Sequence, residues 1–249
     1  MATVRTMHSG SLSGHALYLD IDGTLLDIAP SPEAVEVPPE LIPLLQRLWL
    51  QLDGAVAFVS GRTIAAIDRL FDPLRLPAIG VHGGEIRTVS RTSRLDGGLA
   101  EQLQRVEPGL RVALAAVPGA WLENKRSAIA LHYRNSPQWG GQVLKAAEFA
   151  LAGLGSEFSL VVGKCVVELR PRQCTKASAM QELMAEAPFS GRTPIVAGDD
   201  TSDEDAFELV NRLGGLSVCV GAPGAPTAAT CRLPDPAALR DWLLEIAAT

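Results

Sequence analysis

The sequence has few of the features that mark secreted, membrane-spanning or nucleic-acid-binding proteins. It contains four cysteines in 249 residues, and none forms a Cys-x-x-Cys motif, so neither a disulfide framework nor a zinc site is predicted. No apolar run reaches the roughly 18 residues of a membrane span, and residues 1–14 lack the apolar segment of a signal peptide. Lysines and arginines form no run and the net charge is −6, which argues against nucleic acid and anionic membranes as partners.

We therefore expect a cytoplasmic protein with reduced thiols, and a monomer that acts on a small molecule. Hydrophobic residues make up 47% and charged residues 20% of the chain, as in ordinary globular proteins. A chain of this length forms one large domain, or a core with a smaller inserted domain. Because the chain is acidic overall, any phosphate site must be a local feature built from a few cations and a metal.

Short apolar runs alternate with helical patterns in the first third of the chain. Residues 16–19, 55–59 and 78–81 are predicted to be buried strands, and residues 38–52 and 63–70 to be helices. The alternation resumes after residue 174. This pattern predicts an α/β fold, a Rossmann-like doubly wound parallel sheet formed by residues 15–98 and 174–249.

Residues 99–173 follow another pattern, in which a helix precedes two antiparallel strands, and this pattern occurs twice. The predicted helices cover 99–117 and 138–154, and the predicted strands cover 121–124, 127–133, 158–162 and 165–169. The last two strands form a hairpin that turns at Gly163-Lys164. We interpret this segment as a smaller α+β domain inserted into the larger fold.

Four predicted strands of the core end in polar clusters. The clusters are Asp20-x-Asp22, Ser60-Gly61-Arg62, His82-Gly83 and Asp199-Asp200. Ligands of open parallel sheets bind outside the carboxyl ends of the strands, so we expect the clusters to meet in one crevice. Asp20-x-Asp22 alone also fits a polar turn, and the other three clusters argue against that reading.

The paired carboxylates of Asp20 and Asp22 predict a cation. Alternate residues of an extended segment project to the same side, and two carboxylates so close repel each other unless a cation separates them. With Asp199 they provide the oxygen ligands that suit Mg²⁺, which retains water and shares a substrate phosphate.

These residues resemble the motifs of haloacid dehalogenase-type phosphatases. The first motif is similar to Asp20-Ile21-Asp22-Gly23-Thr24-Leu25, the second to Ser60, the third to Lys176 and the fourth to Gly198-Asp199-Asp200. Lys176 alone would fit a surface lysine in the first turn of a helix, but its place between the insert and the Asp199 strand favours the motif. Ala177 replaces the glycine that usually follows this lysine, a small-for-small change.

A closer resemblance is to trehalose-6-phosphate phosphatases, and it extends from about residue 16 to the C-terminus. It is carried by the segments Ser60-Gly61-Arg62, Val81-His82-Gly83-Gly84-Glu85, Leu122-Glu123-Asn124-Lys125, Ala130-Leu131-His132-Tyr133-Arg134, Gly163-Lys164-Cys165-Val166-Val167-Glu168 and Gly198-Asp199-Asp200-Thr201-Ser202-Asp203-Glu204. The resemblance implies a cap domain of the C2 type and hydrolysis of trehalose 6-phosphate to trehalose and phosphate, the last step of trehalose biosynthesis.

The resemblance also implies a mechanism. Asp20 would attack phosphorus and form an aspartyl-phosphate, and Asp22 would act as general acid and then as general base. Mg²⁺ would be held by Asp20, the backbone carbonyl of Asp22 and Asp199.

Other core residues would support these groups. Ser60 and the amide of Gly61 would bind the phosphoryl oxygens, with the charge of Lys176 beside them. Asp200 and Asp203 would orient the metal ligands and their waters.

The insert would recognise the sugar. Glu123, Lys125 and Glu168 would bind the glucose ring that carries no phosphate, although their spacing alone also fits a solvated charged face. The further substrate contacts implied are Arg62, His82, Gly83 and Arg134, although His82 fits a satisfied polar residue at a strand end equally well. The sequence is also compatible with two alternative functions: a related phosphatase or phosphomutase for sucrose or mannose phosphate, and a catalytically silent sugar-phosphate-binding protein.

Overall fold

A computed structural model describes residues 12–29, 31, 34–94, 97–163, 165–224 and 226–248. They form two compact units, with boundaries at Thr92/Ser93 and Thr175/Lys176. One unit combines both ends of the chain and the other is the segment between them. The sequence-predicted boundaries, 98/99 and 173/174, lie close to these, and the division of labour between a catalytic core and a specificity cap stays a prediction.

The secondary structure alternates as the sequence predicts. In chain order the strands are β1 (His15–Leu19), β2 (Val56–Val59), β3 (Ala78–Gly80), β4 (Glu85–Arg87), β5 (Thr92–Arg94), β6 (Trp121–Asn124), β7 (Ile129–His132), β8 (Phe158–Gly163), β9 (Val166–Pro171), β10 (Thr193–Gly198), β11 (Leu216–Val220) and β12 (Cys231–Leu233). The helices are α1 (Leu41–Gln51), α2 (Ile64–Leu70), α3 (Gly97–Ala115), α4 (Gly140–Ala152), α5 (Lys176–Met184), α6 (Glu204–Arg212) and α7 (Pro236–Ala247). None of the helices in the described ranges combines the length and the apolar character that crossing a membrane would require.

The first unit is built on an eight-stranded sheet in the order β12-β11-β10-β1-β2-β3-β4-β5. The strands from β12 to β3 are parallel to their neighbours, and β4 pairs antiparallel with β3. The central strands β1, β2 and β10 are mostly apolar and nearly all of their residues are buried, as expected for strands that are covered on both faces. The predicted doubly wound α/β fold is confirmed.

Two helices of this unit, α2 and α7, begin at polar residues whose side chains cap them. The Thr63 side chain accepts a hydrogen bond from the amide of Ala66 at the start of α2, and Asp235 accepts one from Ala238 at the start of α7. Each side chain satisfies an amide that has no partner within its helix. Helices α1 and α7 pack together, as do α5 and α6.

The strand order explains why the polar clusters meet. From β1 the chain continues outward through β2 and β3 on one side, whereas β10 lies on the other side and leads to β11 and β12. Such a reversal of strand order is a topological switch point, where the crevice of an open sheet forms. The four predicted clusters follow β1, β2, β3 and β10, which are four adjacent parallel strands, and so their convergence at one sheet edge is confirmed.

The second unit is a four-stranded antiparallel sheet, β6-β7-β9-β8, with two helices. Apolar side chains alternate along the strands, so that Ile129, Leu131, Val167 and Leu169 form one core with residues of α3 and α4. The opposite face therefore carries the polar residues. The predicted α+β insert is confirmed, whereas Lys164 of the predicted hairpin turn lies outside the described residues.

Three strands, β4, β5 and β12, were not predicted from the sequence. Each is only three residues long, and a segment so short shows neither a clear apolar run nor a measurable alternation. The consequence matters for the site, because β4 begins with the buried Glu85.

Candidate active site

Asp20 follows the end of β1 and is 5% exposed. Lys176 Nζ donates a hydrogen bond of 2.9 Å to Asp20 Oδ1 and another of 2.6 Å to Asp203 Oδ1. Lys176 is the first residue of α5, Asp203 directly precedes α6, and both are almost fully buried. Three distant segments thus meet at one lysine, which excludes a surface role for Lys176.

The charges of this group do not balance. Burial raises the pKa values of Asp20 and Asp203, because each carboxylate loses its water, and Lys176 opposes the shift in both. Burial also disfavours the ammonium of Lys176, but the surrounding carboxylates outweigh that effect and raise its pKa. One cation therefore faces several acidic groups, and negative charge remains uncompensated.

Asp199 completes an acidic cluster with Asp20 and Asp203. One carboxylate oxygen from each lies within 4.8 Å of the others, and the Thr24 hydroxyl donates to Asp199 Oδ1 at 3.4 Å. Burial, followed by the charges of Asp20 and Asp200, raises the pKa of Asp199 to about 8. A concentration of hard oxygen donors with excess negative charge fits a divalent cation.

Glycine makes this approach of Asp199 to the Asp20 segment feasible. Gly23 has φ +85°, and a Cβ atom on it would lie 2.2 Å from Asp199 Oδ2. Only a residue without a side chain therefore fits between the two carboxylate-bearing segments.

Asp200 and Asp203 are tied together at the start of α6. The Asp200 carboxylate accepts from the amide of Ser202 at 2.7 Å, and the Asp200 amide donates to Asp203 Oδ2 at 3.3 Å. This reciprocal capping box fixes the turn that follows β10. Burial raises the pKa of Asp200, but Lys176 and the Ser202 hydrogen bonds lower it by more, so its net pKa falls.

Asp22 does not turn its carboxylate into the acidic cluster. Arg62 Nε and Nη2 each donate to one oxygen of Asp22 at 2.7 Å, a bidentate pair that fixes both planar groups. The Asp22 side chain is 37% exposed, so it remains open to solvent. A metal contact by Asp22 would have to come from its backbone carbonyl, as expected from the resemblance.

Backbone hydrogen bonds join the Ser60 loop to the turn at His82. The amide of His82 donates to Ser60 O, and the amide of Val81 donates to Arg62 O. Val81 and His82 both have left-handed φ angles near +50°, which costs energy for residues other than glycine. A Cβ on Gly61 would lie 2.4 Å from His82 Nε2, so the imidazole sits directly over the loop.

Glu85 binds the start of α2, the helix that follows the loop of residues 60–62, and was not predicted as a site residue. Its buried carboxylate accepts a hydrogen bond of 2.8 Å from the amide of Ile64, the first residue of α2. Glu85 lies in a segment on which the family resemblance rests, but a short strand and a single acidic residue do not reveal which amide it reaches. Thr24, which belongs to the first motif and donates to Asp199, was not predicted as a site residue either.

The polar face of the second unit carries the predicted sugar-binding residues. Glu123, Ala130 and Glu168 are paired across β6, β7 and β9, so they share one face of the sheet. Lys125 Nζ donates to Glu168 Oε1 at 3.0 Å, and both side chains are mostly buried. For this pair the alternative of a solvated charged face is wrong.

His132 joins this face and was missed as a site residue. Its Nε2 lies 2.9 Å from Glu123 Oε2. Burial raises the pKa of Glu123, but the His132 contact and the charge of Lys125 outweigh it and lower the net pKa. The predicted substrate contact Arg134 follows β7 and is exposed.

Comparison with known proteins identifies the family. A family model described as trehalose-phosphatase matches residues 18–237. The chain belongs to the trehalose-phosphatase family. Among curated members, the trehalose-6-phosphate phosphatase of Escherichia coli is 41% identical over 92% of this chain and 85% of its own length. The probable trehalose-phosphate phosphatase of Sinorhizobium fredii is 39% identical over 96% of this chain and 90% of its own length.

Solved structures agree with this assignment to the trehalose-phosphatase family. A trehalose-6-phosphate phosphatase related protein is 26% identical and superposes with a TM-score of 0.73, covering 94% of this chain and 97% of that one. A haloacid dehalogenase-like hydrolase from B. subtilis has a TM-score of 0.63 at 15% identity, over 94% and 99% of the two chains; it supports the fold alone. The predicted enzyme class, a phosphoric monoester hydrolase, is confirmed.

The raised pKa of Asp199 predicts a pH-dependent response to cations. A carboxyl group with a raised pKa in the folded state loses its stabilising contribution as pH rises from 3.8 through about 8. With a chelator present, we expect the unfolding temperature of the wild type to fall relative to that of Asp199→Asn as the pH rises through this interval. A divalent cation should restore it, more strongly at about pH 8.5 than at about pH 6. Scanning fluorimetry measures both effects. If the unfolding temperatures of the two proteins changed in parallel with pH, the raised pKa of Asp199 would be contradicted.

The close contact at Gly23 predicts that Gly23→Ala disrupts the cation site. Gly14 is a matched control, because it has φ +81° and a Cβ atom on it would meet no heavy atom within 4 Å. Both alanines incur a similar backbone cost of about 1–2 kcal/mol, but only Gly23→Ala displaces Asp199. We expect divalent-cation affinity, measured by calorimetry, to fall at least about tenfold for Gly23→Ala relative to Gly14→Ala. Equal affinities would show that Asp199 does not bind the cation.

Proposed function

We propose that this chain hydrolyses trehalose 6-phosphate to trehalose and inorganic phosphate, the last step of trehalose biosynthesis. The observation that carries the proposal is the buried contact of Asp20 with Lys176 beside Asp199 and Asp203. Two relatives about 40% identical over most of the chain are named for this activity. We further propose a cytoplasmic monomer, and the free cysteines at 165, 174, 219 and 231 are compatible with a reducing compartment.

In the first step, an oxygen of Asp20 attacks phosphorus and the bond from phosphorus to the sugar oxygen breaks. The electron pair of that bond goes to the sugar oxygen, which takes a proton from Asp22, and an aspartyl-phosphate results. Arg62 donates a hydrogen bond to each carboxylate oxygen of Asp22. One of these two hydrogen bonds must therefore break before that oxygen can donate a proton to the sugar oxygen.

In the second step, Asp22 takes a proton from water, and the water oxygen attacks phosphorus. The bond from phosphorus to Asp20 breaks, which releases phosphate and restores the carboxylate. Lys176 remains hydrogen-bonded to Asp20 and supplies positive charge beside the phosphoryl oxygens. Ser60 and the amide of Gly61 bind those oxygens at the loop that precedes α2.

The acidic cluster suits a divalent cation, and we propose Mg²⁺, which Asp20, the backbone carbonyl of Asp22 and Asp199 would hold. When bound, the ion offsets the repulsion between the anionic nucleophile and the anionic ester. Asp203 keeps its contact with Lys176, and Asp200 holds the turn that places Asp203 and Asp199. These two residues therefore orient the ligands and their waters.

We propose that Glu123, Lys125 and Glu168 recognise the sugar. Ionised carboxylates accept hydrogen bonds from hydroxyl groups and the ammonium donates to them, so a charged but internally paired surface suits a polyhydroxylated ligand. Arg134, exposed at the end of β7, is a further contact. In the first unit, Arg62 of the Ser60 loop, together with His82 and Gly83 of the turn that is hydrogen-bonded to this loop, would contact the glucose ring that carries the phosphate.

A panel of sugar phosphates tests the substrate. We expect kcat/KM for trehalose 6-phosphate to exceed the values for glucose 6-phosphate and sucrose 6-phosphate by at least about a hundredfold, because unpaired polar groups penalise the wrong sugar. A chelator should abolish phosphate release and Mg²⁺ should restore it. Comparable release from all three esters, or faster turnover of mannose or sucrose phosphate, would refute the substrate assignment.

Substitution of the nucleophile tests the mechanism. Asp20→Asn should lower kcat by at least roughly a thousandfold while substrate binding, measured by calorimetry, is retained, because the amide cannot attack phosphorus. Asp53→Asn is the matched control, since that carboxylate is largely exposed, and it should leave kcat unchanged. Turnover at the wild-type rate in Asp20→Asn would exclude Asp20 as the nucleophile. Absence of turnover in the wild type with every sugar phosphate would instead favour a silent binding protein.

A further inference from the structure

Trp121 is an exposed aromatic residue on the sheet face that carries Glu123, His132 and Glu168. It lies opposite His132 in the pairing of β6 with β7, and its side chain projects to the same face as Glu123. It is 44% exposed. The other large exposed apolar residues described in this unit, Val112, Phe149 and Val162, belong to the helices or to the alternate face of the sheet.

One face of the Trp121 indole packs against the imidazole ring of His132. The indole and imidazole rings of Trp121 and His132 are stacked, with centroids 4.0 Å apart and planes inclined by 12°. His132 is in turn held by Glu123, at 2.9 Å from Nε2 to Oε2. An ionised carboxylate only accepts hydrogen bonds, so Nε2 is the donor. A rigid aromatic surface thus adjoins a carboxylate that remains partly open to solvent.

This combination matches the two surfaces of a pyranose ring. A pyranose has apolar C–H groups on its ring faces and hydroxyl groups around its rim. An aromatic face binds the C–H groups with little loss of side-chain entropy, and carboxylates beside it accept hydrogen bonds from the rim. A purely ionic ligand would offer no apolar surface to pack on the indole. An apolar ligand would leave the carboxylates desolvated and unpaired.

We propose that Trp121, supported by His132, is a stacking platform for the glucose ring that carries no phosphate, and that it determines specificity for a disaccharide. The inference rests on the proposed function, since it assigns the sugar to this face. It adds a residue that binds the ring face to those that bind the hydroxyl groups. Trp121 acts in binding alone, and His132 is a positioning residue that acts through it.

Kinetics of Trp121→Ala test the platform. We expect KM for trehalose 6-phosphate to rise about three- to tenfold with kcat nearly unchanged. Trp121→Phe keeps an aromatic face and should stay within about twofold of the wild type. Hydrolysis of para-nitrophenyl phosphate, which has no pyranose ring, should be the same in all three proteins.

Phe149→Ala is the matched control. Phe149 is an exposed aromatic residue of the same unit, 86% accessible on α4, and its removal should leave both substrates unaffected. Unfolding temperatures of all variants establish whether the stacked pair acts only as a cross-strand contact that stabilises the edge of the sheet. A lower unfolding temperature for Trp121→Ala with an unchanged KM for trehalose 6-phosphate would overturn the proposal. So would an equal rise in KM for para-nitrophenyl phosphate.

The same data separate this inference from the proposed function. A wild type that hydrolyses trehalose 6-phosphate, together with an unchanged KM in Trp121→Ala, refutes the platform and leaves the function intact. A wild type that prefers another glycosyl phosphate, with KM for that ester raised by Trp121→Ala, refutes the function and supports the platform.

Discussion

The buried ammonium of Lys176 is the interaction on which the site depends. It joins the end of β1 to the segment before α6 through Asp20 and Asp203, and Asp20 lies 156 positions away in the chain. A buried charge is tolerated only when it is paired, and leaving one partner uncompensated costs about 3–5 kcal/mol. Asp199 adds a further carboxylate whose oxygen lies within 4.8 Å of oxygens of Asp20 and Asp203, and such a concentration of acidic oxygens suits a divalent cation.

The parallel sheet delivers these groups because its strand order reverses between β1 and β10. The carboxyl ends of the two strands are neighbours, so the peptides that follow them run into one crevice. Close approach then depends on small residues. A Cβ at Gly198 would lie 2.2 Å from Asp203 Cγ, and one at Gly23 would collide with Asp199. The two glycines therefore leave the space that the charged side chains of Asp199 and Asp203 occupy.

The antiparallel unit positions its charged side chains by another geometry. Its strands alternate, so one face packs on α3 and α4 and the other presents charged groups in fixed rows. On that face Lys125 is paired with Glu168, and Glu123 with His132. Such pairs contribute little to net stability, but they hold carboxylates in defined orientations. A polyhydroxylated ligand can exploit this order, and Trp121 adds an apolar surface beside it.

The sequence by itself determined the fold class, the insert and the acidic, serine and lysine motifs, because apolar periodicity and short motifs are local properties. It placed β6 at its observed bounds. It did not reveal the strands β4, β5 and β12, the amide that Glu85 binds, the bidentate hold of Arg62 on Asp22, or the stacking of Trp121 on His132. Those features are contacts between side chains and segments that only the tertiary structure brings together. Their partners depend on strand register and on side-chain direction, neither of which a local pattern records.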